Sequence, residues 1–235
     1  MRKHVIVTMF VLLLSVSAVN SVSAQWFNGN KPFSVTVLVT GFESFNGYDV
    51  NPAQLIAEYL DGQMIKNVSV VGISVPVEWN NSIYTVTEVV KDLKPAAVIS
   101  IGLAPNARFI RIEKNRFKHQ SHDNKPGKKW VIQKVDPDGP PLLLTDLPTY
   151  HIAKEVRNAD IPARQSFFAG TYICNNLFYG LLKYKYEKDP DLKVGFIHVP
   201  PLTSMDPKKG MSFDEMVKAV KLVITIVFNE VNRIA

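Results

Sequence analysis

Apolar residues along this chain form two kinds of pattern, continuous runs and helix-spaced stripes. The continuous runs are rich in β-branched residues and bounded by glycine or proline, which predicts buried strands over 34–40, 68–77 and 96–101. The stripes between them predict two helices, one beginning at Asn51-Pro52 and the other at Asn80 or Asn81. This order of strand, helix, strand, helix, strand favours a parallel sheet with helices on both faces.

The alternation resumes after a long polar segment, residues 106–148, which carries most of a lysine cluster. A connection of this length within a folded domain is usually functional. Beyond it, the pattern predicts a helix over 148–159, a strand over 164–168, a helix from Cys174 to about Tyr186, a strand over 193–199 and a last helix after Ser212. Ser212 and Glu215 have the spacing of a capping box. We therefore expect a single-domain, three-layer α/β/α fold with a mostly parallel central sheet.

The helical stripes also predict which side chains are buried. The predicted inner face of the first helix is Leu55, Ile56, Tyr59 and Leu60, and that of the second is Ile83, Val86, Val89, Val90 and Leu93. The last helix is predicted to bury Met216, Val217, Val220, Val223, Ile224 and Val227.

The first residues have the pattern of a secretory signal peptide. Met1–His4 is basic, residues 5–19 are an apolar run, and Val22-Ser23-Ala24 offers the small side chains of a cleavage site. The run is shorter than the roughly 20 apolar residues of a spanning helix, so we expect no stable membrane anchor after cleavage. We predict a signal peptide over 1–24, a flexible leader over 25–33 and a folded domain over 34–235. The product is then exported to a periplasm, a secretory lumen or the exterior.

Composition and charge narrow the function classes. Apolar residues make up 46% and charged residues 20% of the chain, as in an ordinary globular domain, and a single cysteine excludes an intramolecular disulfide. The net charge of +6 becomes +4 without Arg2 and Lys3, and no aromatic-interleaved basic stripe is present, so no nucleic-acid partner is expected. His119-x-x-His122-Asp123 lacks further metal ligands, and Gly102–Pro105 lacks the glycines of a phosphate loop. We expect neither a metal nor a cofactor.

Two residues stand out as a candidate nucleophile and base. Cys174 follows Ala169-Gly170-Thr171 at the predicted start of a helix, where the helix dipole and N–H groups stabilise a thiolate. His198 ends a predicted strand, and the carboxyl ends of parallel strands are where active sites collect. A small buried cysteine and a structural histidine are the alternatives, and the residue types alone leave them open.

Three ordered segments resemble motifs of the pyroglutamyl peptidase I family of cysteine peptidases. They are Val39–Gly47 with Val50-Asn51-Pro52, then Ala169–Asn175, then Gly195–Pro200, and the similarity runs from about residue 35 to residue 228. The resemblance implies a phosphorylase/hydrolase-like version of the three-layer fold and a triad of Cys174, His198 and Glu113. It also implies hydrolysis of an N-terminal pyroglutamyl residue from peptides through a thioester, without cofactor or metal. Family members often assemble, so the resemblance allows a homo-oligomer.

The resemblance also implies an apolar pocket for a small, uncharged lactam ring. Phe42 and Phe45 match the family's ring-sandwiching phenylalanines, and the other predicted pocket residues are Val77, Leu103, Tyr172 and Ile173. The chain departs from the family where Pro105 and Asn106 replace two glycines. This departure leaves two alternatives. One is an exported pyroglutamyl-binding protein with weak or no turnover, and the other is a cysteine hydrolase for another small N-terminal acyl group.

Overall fold

A seven-stranded sheet forms the centre of the computed structural model, which describes residues 35–45, 47–117, 119–122 and 131–232. In chain order the strands are β1 (Val35–Phe42), β2 (Met64–Ile65), β3 (Val68–Val75), β4 (Ala97–Leu103), β5 (Ile110–Glu113), β6 (Asn115–Phe117), β7 (His119–His122), β8 (Val131–Lys134), β9 (Leu142–Leu144), β10 (Ala163–Ser166) and β11 (Lys193–Val199). The order across the central sheet is β10-β5-β11-β4-β1-β3-β2. The predicted signal peptide and leader lie outside the described residues.

Helices cover both faces of this sheet. The described residues contain α1 (Pro52–Leu60), α2 (Asn81–Leu93), α3 (Thr149–Asn158), α4 (Ile173–Lys188) and α5 (Phe213–Asn232). Helices α1, α3 and α5 share one apolar core with the sheet, and α2 and α4 share the other. None of the described helices combines the length and the hydropathy needed to cross a bilayer. The prediction of a three-layer α/β/α fold is confirmed.

The sheet is mostly parallel, as predicted, with two local reversals. Strand β1 runs parallel to β3 and β4, and β11 runs parallel to β4. Strand β5 runs antiparallel to β11 and carries β10 parallel to itself, and β2 returns antiparallel to β3. Residues paired across neighbouring strands project from the same face. His198, Gly102 and Arg111 therefore share the face covered by α2 and α4, whereas Ile197 and Val199 belong to the opposite core.

Helix α1 begins as its sequence predicts. The Asn51 side chain accepts a hydrogen bond from the Ala53 N–H at 3.0 Å, and Pro52 occupies the first helical position. The predicted inner face was partly wrong, because Leu55 and Tyr59 are 36% and 51% exposed. Ile56 and Leu60 are buried as predicted, and the small residues Ala53 and Ala57 complete the buried face.

Two glycines explain this change of face. A Cβ at Gly41 of β1 would collide with the backbone carbonyl of Ala53, and one at Gly72 of β3 would collide with that of Ala57. The backbone of α1 therefore rests directly on the strands, with Ala53 and Ala57 fully buried. This close approach also fixes the position of Phe42, the residue after Gly41.

The polar segment 106–148 is more regular than predicted. It contains five short strands, of which β5 joins the central sheet, while β6 pairs with β9 and β7 pairs with β8. The prediction that Gly102 closes the preceding strand was also wrong. Strand β4 continues through Gly102 to Leu103, because both residues pair with β11.

The last helix matches its prediction closely. All six side chains predicted to be buried in α5 are buried. The Ser212 hydroxyl donates to the Glu215 carboxylate at 2.6 Å, and the Glu215 N–H donates to the Ser212 Oγ at 3.2 Å. The Ser212 N–H also donates to that carboxylate at 3.1 Å, which completes the capping box. Hydrogen bonds from the Ser212 hydroxyl and N–H hold the pKa of Glu215 below its usual value.

Candidate active site

Cys174 lies in the first turn of α4, which begins at Ile173, one residue earlier than predicted. Tyr172, two residues before Cys174, is the N-cap, in an extended conformation, and its carbonyl accepts the N–H groups of Asn175 and Asn176 at 2.9 and 3.2 Å. Cys174 is half-buried and is not part of a disulfide. Its thiol therefore lies at the positive end of a sixteen-residue helix, where an anionic sulfur is stabilised.

The thiol lies against β4 at a position where any side chain larger than that of glycine would crowd it. A Cβ at Gly102 would lie 2.9 Å from the Cys174 Sγ and 3.2 Å from the edge of the Phe196 ring. Because Gly102 pairs with His198 in the sheet, the same register brings the sulfur to the histidine's face. Sequence reasoning treated this glycine as a strand terminator and missed its role as a space for the nucleophile.

His198 and Glu113 form a buried pair. The His198 Nδ1 lies 2.7 Å from the Glu113 Oε1, and the two residues are 5% and 0% exposed. When the carboxylate is ionised it only accepts hydrogen bonds, and Nδ1 then carries a hydrogen and donates it. The other ring nitrogen, Nε2, is thereby left to act on a reacting group. The Phe196 ring, 5.0 Å from the imidazole centroid and tilted by 54°, packs beside the histidine.

The strand pairing explains how a glutamate from the polar segment reaches the histidine. In the antiparallel pair of β5 and β11, Arg111 lies opposite His198, and Glu113 is two residues further along β5. Alternate residues of a strand share a face, so Glu113 meets His198 diagonally. Its complete burial distinguishes it from the exposed, ion-paired glutamates of an ordinary protein surface.

A cavity of about 180 Å³ opens in front of these groups. All six predicted pocket residues line it, together with Cys174 and His198, and Glu113 lies behind His198. Pro105 and Ala169 also line it and were not predicted. The lining is predominantly apolar, and pockets for drug-sized ligands hold roughly 300–1,000 Å³, so this cavity suits a small uncharged group.

The cavity walls are tied to the helices behind them. The Tyr172 ring packs edge-on against Trp79 with centroids 5.4 Å apart, two residues after the pocket residue Val77. Asn80, at φ 61°, donates its N–H to the buried Asn176 side chain of α4 at 3.4 Å. Loop 76–80 and the helix that carries Cys174 are therefore held together.

A second tie holds the loop that carries both phenylalanines. The Asn51 side-chain amide donates to the Glu43 carbonyl at 3.0 Å, and the Glu43 N–H donates to the Val75 carbonyl at 3.0 Å. The same Asn51 side chain caps α1, so one residue fixes both the helix start and the path of the chain from Phe42 to Phe45.

Two larger clefts lie away from these groups. One, of about 460 Å³, is lined by residues around Pro95 and Leu192, and the other, of about 410 Å³, lies between α2 and α4. Neither includes Cys174 or His198. Across the residues that the structure describes, no three His, Cys, Asp or Glu side chains are grouped to hold a metal ion, and Asp123 lies outside them.

Comparison with known proteins gives a consistent match. The family model for pyroglutamyl peptidase matches residues 35–230. The chain is 34% identical over 198 residues to the pyrrolidone-carboxylate peptidase of Thermoanaerobacter sp. strain X514, covering 81% of this chain and 97% of that protein. It is 35% identical over 195 residues to the pyrrolidone-carboxylate peptidase of Saccharolobus islandicus strain Y.N.15.51, covering 80% and 92%.

Solved structures match as well. The crystal structure of pyroglutamyl peptidase I from Bacillus amyloliquefaciens aligns with a TM-score of 0.78 at 30% identity, over 83% of this chain and 95% of that chain. The pyrrolidone carboxyl peptidase from Thermococcus litoralis aligns with a TM-score of 0.78 at 29% identity, over 86% and 96%.

Proposed function

Because this chain belongs to the pyroglutamyl peptidase family, whose cysteine exopeptidases remove N-terminal pyroglutamate, we propose that it does so through a triad of Cys174, His198 and Glu113 and a thioester intermediate. The observation that carries the proposal is one small apolar cavity with the thiol and the imidazole in its wall. A buried carboxylate bonded to that imidazole supports the assignment of the third member.

The first half-reaction transfers the acyl group to the enzyme. The Cys174 thiolate attacks the carbonyl carbon of the scissile bond, while the Cys174 N–H at the start of α4 stabilises the oxyanion that forms. The C–N bond then breaks, and His198 gives its Nε2 proton to the leaving amine. The shortened peptide departs, and a pyroglutamyl thioester remains on Cys174.

The second half-reaction restores the enzyme. Neutral His198 takes a proton from water, and the resulting hydroxide attacks the thioester carbonyl. The C–S bond breaks, pyroglutamate leaves, and the thiolate–imidazolium pair is restored. Throughout both steps, Glu113 keeps Nδ1 protonated and stabilises the imidazolium.

The cavity supports a preference for an uncharged ring. Phe42, Phe45 and Ile173 supply apolar surface, and no Asp, Glu, Lys or Arg side chain lines the cavity among the described residues. A charged N-terminal amine would lose its hydration there without a carboxylate to pair with. The lactam form of an N-terminal glutamate carries no such amine.

The altered loop keeps a defined backbone path despite its departure from the family pattern. The Ala104 N–H donates to the Val199 carbonyl at 2.8 Å, and the Ala107 N–H donates to the Ala104 carbonyl at 2.9 Å. Pro105 contributes to the cavity wall. Leu103 therefore stays in register with β11, beside the reacting groups, where its backbone can bond the lactam.

A fluorogenic pyroglutamyl amide tests the proposal. The purified protein is expected to release the fluorophore, and Cys174→Ala is expected to lower kcat by about 10⁴-fold or more, since the nucleophile is lost. A panel of other aminoacyl amides distinguishes a different acyl specificity. Calorimetry with pyroglutamate distinguishes a binding protein, which would bind the ring without turnover. Equal rates in the wild type and in Cys174→Ala would refute the assignment.

A further inference from the structure

Two arginines, Arg111 and Arg164, lie beside His198 and share the ring of Phe109. We call these two arginines the arginine pair. Arg111 lies opposite His198 across β5 and β11, and Arg164 lies beside Arg111 across β10 and β5. The guanidinium carbons of Arg111 and Arg164 lie 5.6 and 4.6 Å from the centroid of the Phe109 ring. Both cations are therefore stacked on one ring at the same edge of the sheet.

The sheet order places this cluster on the side of His198 away from the acyl cavity. Phe42 ends β1 and Leu103 ends β4, and both strands lie on one side of β11. Strands β5 and β10 lie on the other side, one and two strands away, or roughly 5 and 10 Å. Since paired residues share a face, Arg111, Arg164 and His198 project from the same face of the sheet.

The surroundings of the two guanidinium groups, as far as the structure describes them, suit the binding of an anion. Arg111 is half-buried and Arg164 is exposed. The ion pairs formed within the described part of the chain include neither arginine. The nearby carboxylate of Glu113 is bonded to His198. A guanidinium that lies over an aromatic ring can still offer N–H groups to a carboxylate.

We propose that Arg111 and Arg164 bind the C-terminal carboxylate of short pyroglutamyl peptides, which makes pyroglutamyl di- and tripeptides the preferred substrate class. The inference rests on the proposed function, because that function places the leaving amine at the His198 Nε2. An extended chain advances at most about 3.3–3.6 Å per residue, so one or two residues beyond the scissile bond carry the carboxylate about 3.5–7 Å, beside β5 and toward β10.

A preference for short peptides and for a charged C-terminus follows from this geometry. A longer peptide carries its carboxylate past the arginine pair, and a C-terminal amide removes the anion altogether. A charge-assisted, partly exposed contact of this kind favours the free acid by about tenfold at low salt, and the preference falls as salt screens it. The arginine pair therefore selects among peptides that the acyl cavity alone would treat alike.

Equilibrium binding to the Cys174→Ala protein tests the inference without turnover. Calorimetry compares pyroglutamyl-alanine with its C-terminal amide, with and without Arg111→Met or Arg164→Met. In the Cys174→Ala protein, we expect pyroglutamyl-alanine to bind about tenfold more tightly than its amide. When either arginine is also replaced, we expect the two affinities to be nearly equal. The acid and amide forms of a pyroglutamyl hexapeptide should bind with nearly equal affinity even with both arginines present. Lys188→Met is the matched control, because it removes one positive charge about 21 Å along α4 from Cys174 and should keep the preference.

The outcomes separate the two proposals. Equal affinity of the acid and the amide, or an unchanged preference in both arginine variants, overturns the carboxylate site whatever the wild type does to the fluorogenic amide. A wild type that fails to cleave that amide overturns the proposed function, while the binding ratio still decides the inference. Arg164 is exposed on the sheet surface, so its variant is expected to fold even if the half-buried Arg111 cannot be replaced.

Discussion

At the scale of single residues, burial separates Glu113 from the other glutamates of the chain. In the sequence it lies in a polar, lysine-rich segment and could be assigned only through the family resemblance. In the structure it is fully buried at 2.7 Å from His198. Cys174 and His198 were found from their positions at a helix start and a strand end. No comparable local pattern marks Glu113, because its contact arises from pairing between strands 85 residues apart.

The sequence analysis did not find the arginine pair, because this pair too arises from pairing between strands that are distant in the sequence. Arg111 and Arg164 are 53 residues apart in the sequence (164 − 111 = 53) and read as ordinary surface cations. Only the register of β10, β5 and β11 brings them together and beside His198. Long-range register depends on packing that neither residue type nor spacing encodes locally.

Gly102 carries a residue-scale prediction. In Gly102→Ala, the new Cβ would lie 2.9 Å from the Cys174 Sγ, so the thiol must move and the protein should lose about 10²-fold or more in kcat/KM. Steady-state kinetics with the fluorogenic amide measures the loss, and thermal unfolding confirms that the variant is folded. Gly195→Ala is the control, because its Cβ would crowd Leu147 at 2.7 Å instead of the thiol.

The two glycine variants are expected to separate stability from activity. Gly195→Ala should lower the Tm and leave kcat/KM near the wild-type value, since Leu147 belongs to the core of the other face. Gly102→Ala should leave the Tm near the wild-type value and lower kcat/KM. Wild-type kinetics in Gly102→Ala would contradict the role assigned to this glycine.

At the scale of elements, long apolar patterns predicted well and short polar strands did not. Strand β11 has its predicted bounds, and α5 buries every side chain it was predicted to bury. Strands β5 to β9 are three or four residues long, and of these only β5 has a clear apolar alternation. Their pairing partners determine them, so the segment 106–148 was predicted as an irregular connection.

Helix α1 shows a second limit on what the sequence pattern predicts. Its start was predicted from Asn51 and Pro52, but its buried face only in part, because hydrophobic periodicity favours large residues over Ala53 and Ala57. Gly41 and Gly72 open a space that only a helix backbone with small side chains can fill. The glycines of β1 and β3 therefore determine which side chains of the helix are buried, and the hydrophobic pattern of the helix alone does not.

The capping box of α5 gives a pH-dependent prediction. Glu215→Ala removes the carboxylate that Ser212 holds, and at pH 7 this should lower the free energy of unfolding by about 1 kcal/mol. The pKa of Glu215 is lowered in the folded state, so its contribution is fully present above the unfolded pKa of about 4.3 and disappears as the pH falls through the lower folded value.

Urea unfolding at pH 7 and pH 3 measures this contribution. The difference between the wild type and Glu215→Ala should shrink at the lower pH. Asp214→Ala is the matched control, since it removes an acidic group from the same helical turn without breaking the capping box. A Glu215 effect equal at both pH values would show that the carboxylate contributes through packing instead of through its charge.

At the scale of the whole molecule, the sheet order separates two kinds of recognition. The acyl cavity lies on the β4 and β1 side of His198, and the arginine pair lies on the β5 and β10 side. The reversal of β5 makes this possible, because it brings the start of β5, and not its end, beside the carboxyl end of β11. The alternating pattern of the sequence predicted the parallel part of the sheet and hence the cysteine–histidine edge, but not this reversal.

The central claim is that the substrate's acyl group is transferred to Cys174. An activated pyroglutamyl aryl ester tests it most directly, because its good leaving group makes acylation faster than hydrolysis of the thioester. Rapid quenching followed by intact-mass and peptide mapping should reveal one pyroglutamyl group on Cys174, with a burst of leaving group that matches the enzyme concentration. Turnover without a burst, or a catalytically competent adduct on another residue, would contradict the account.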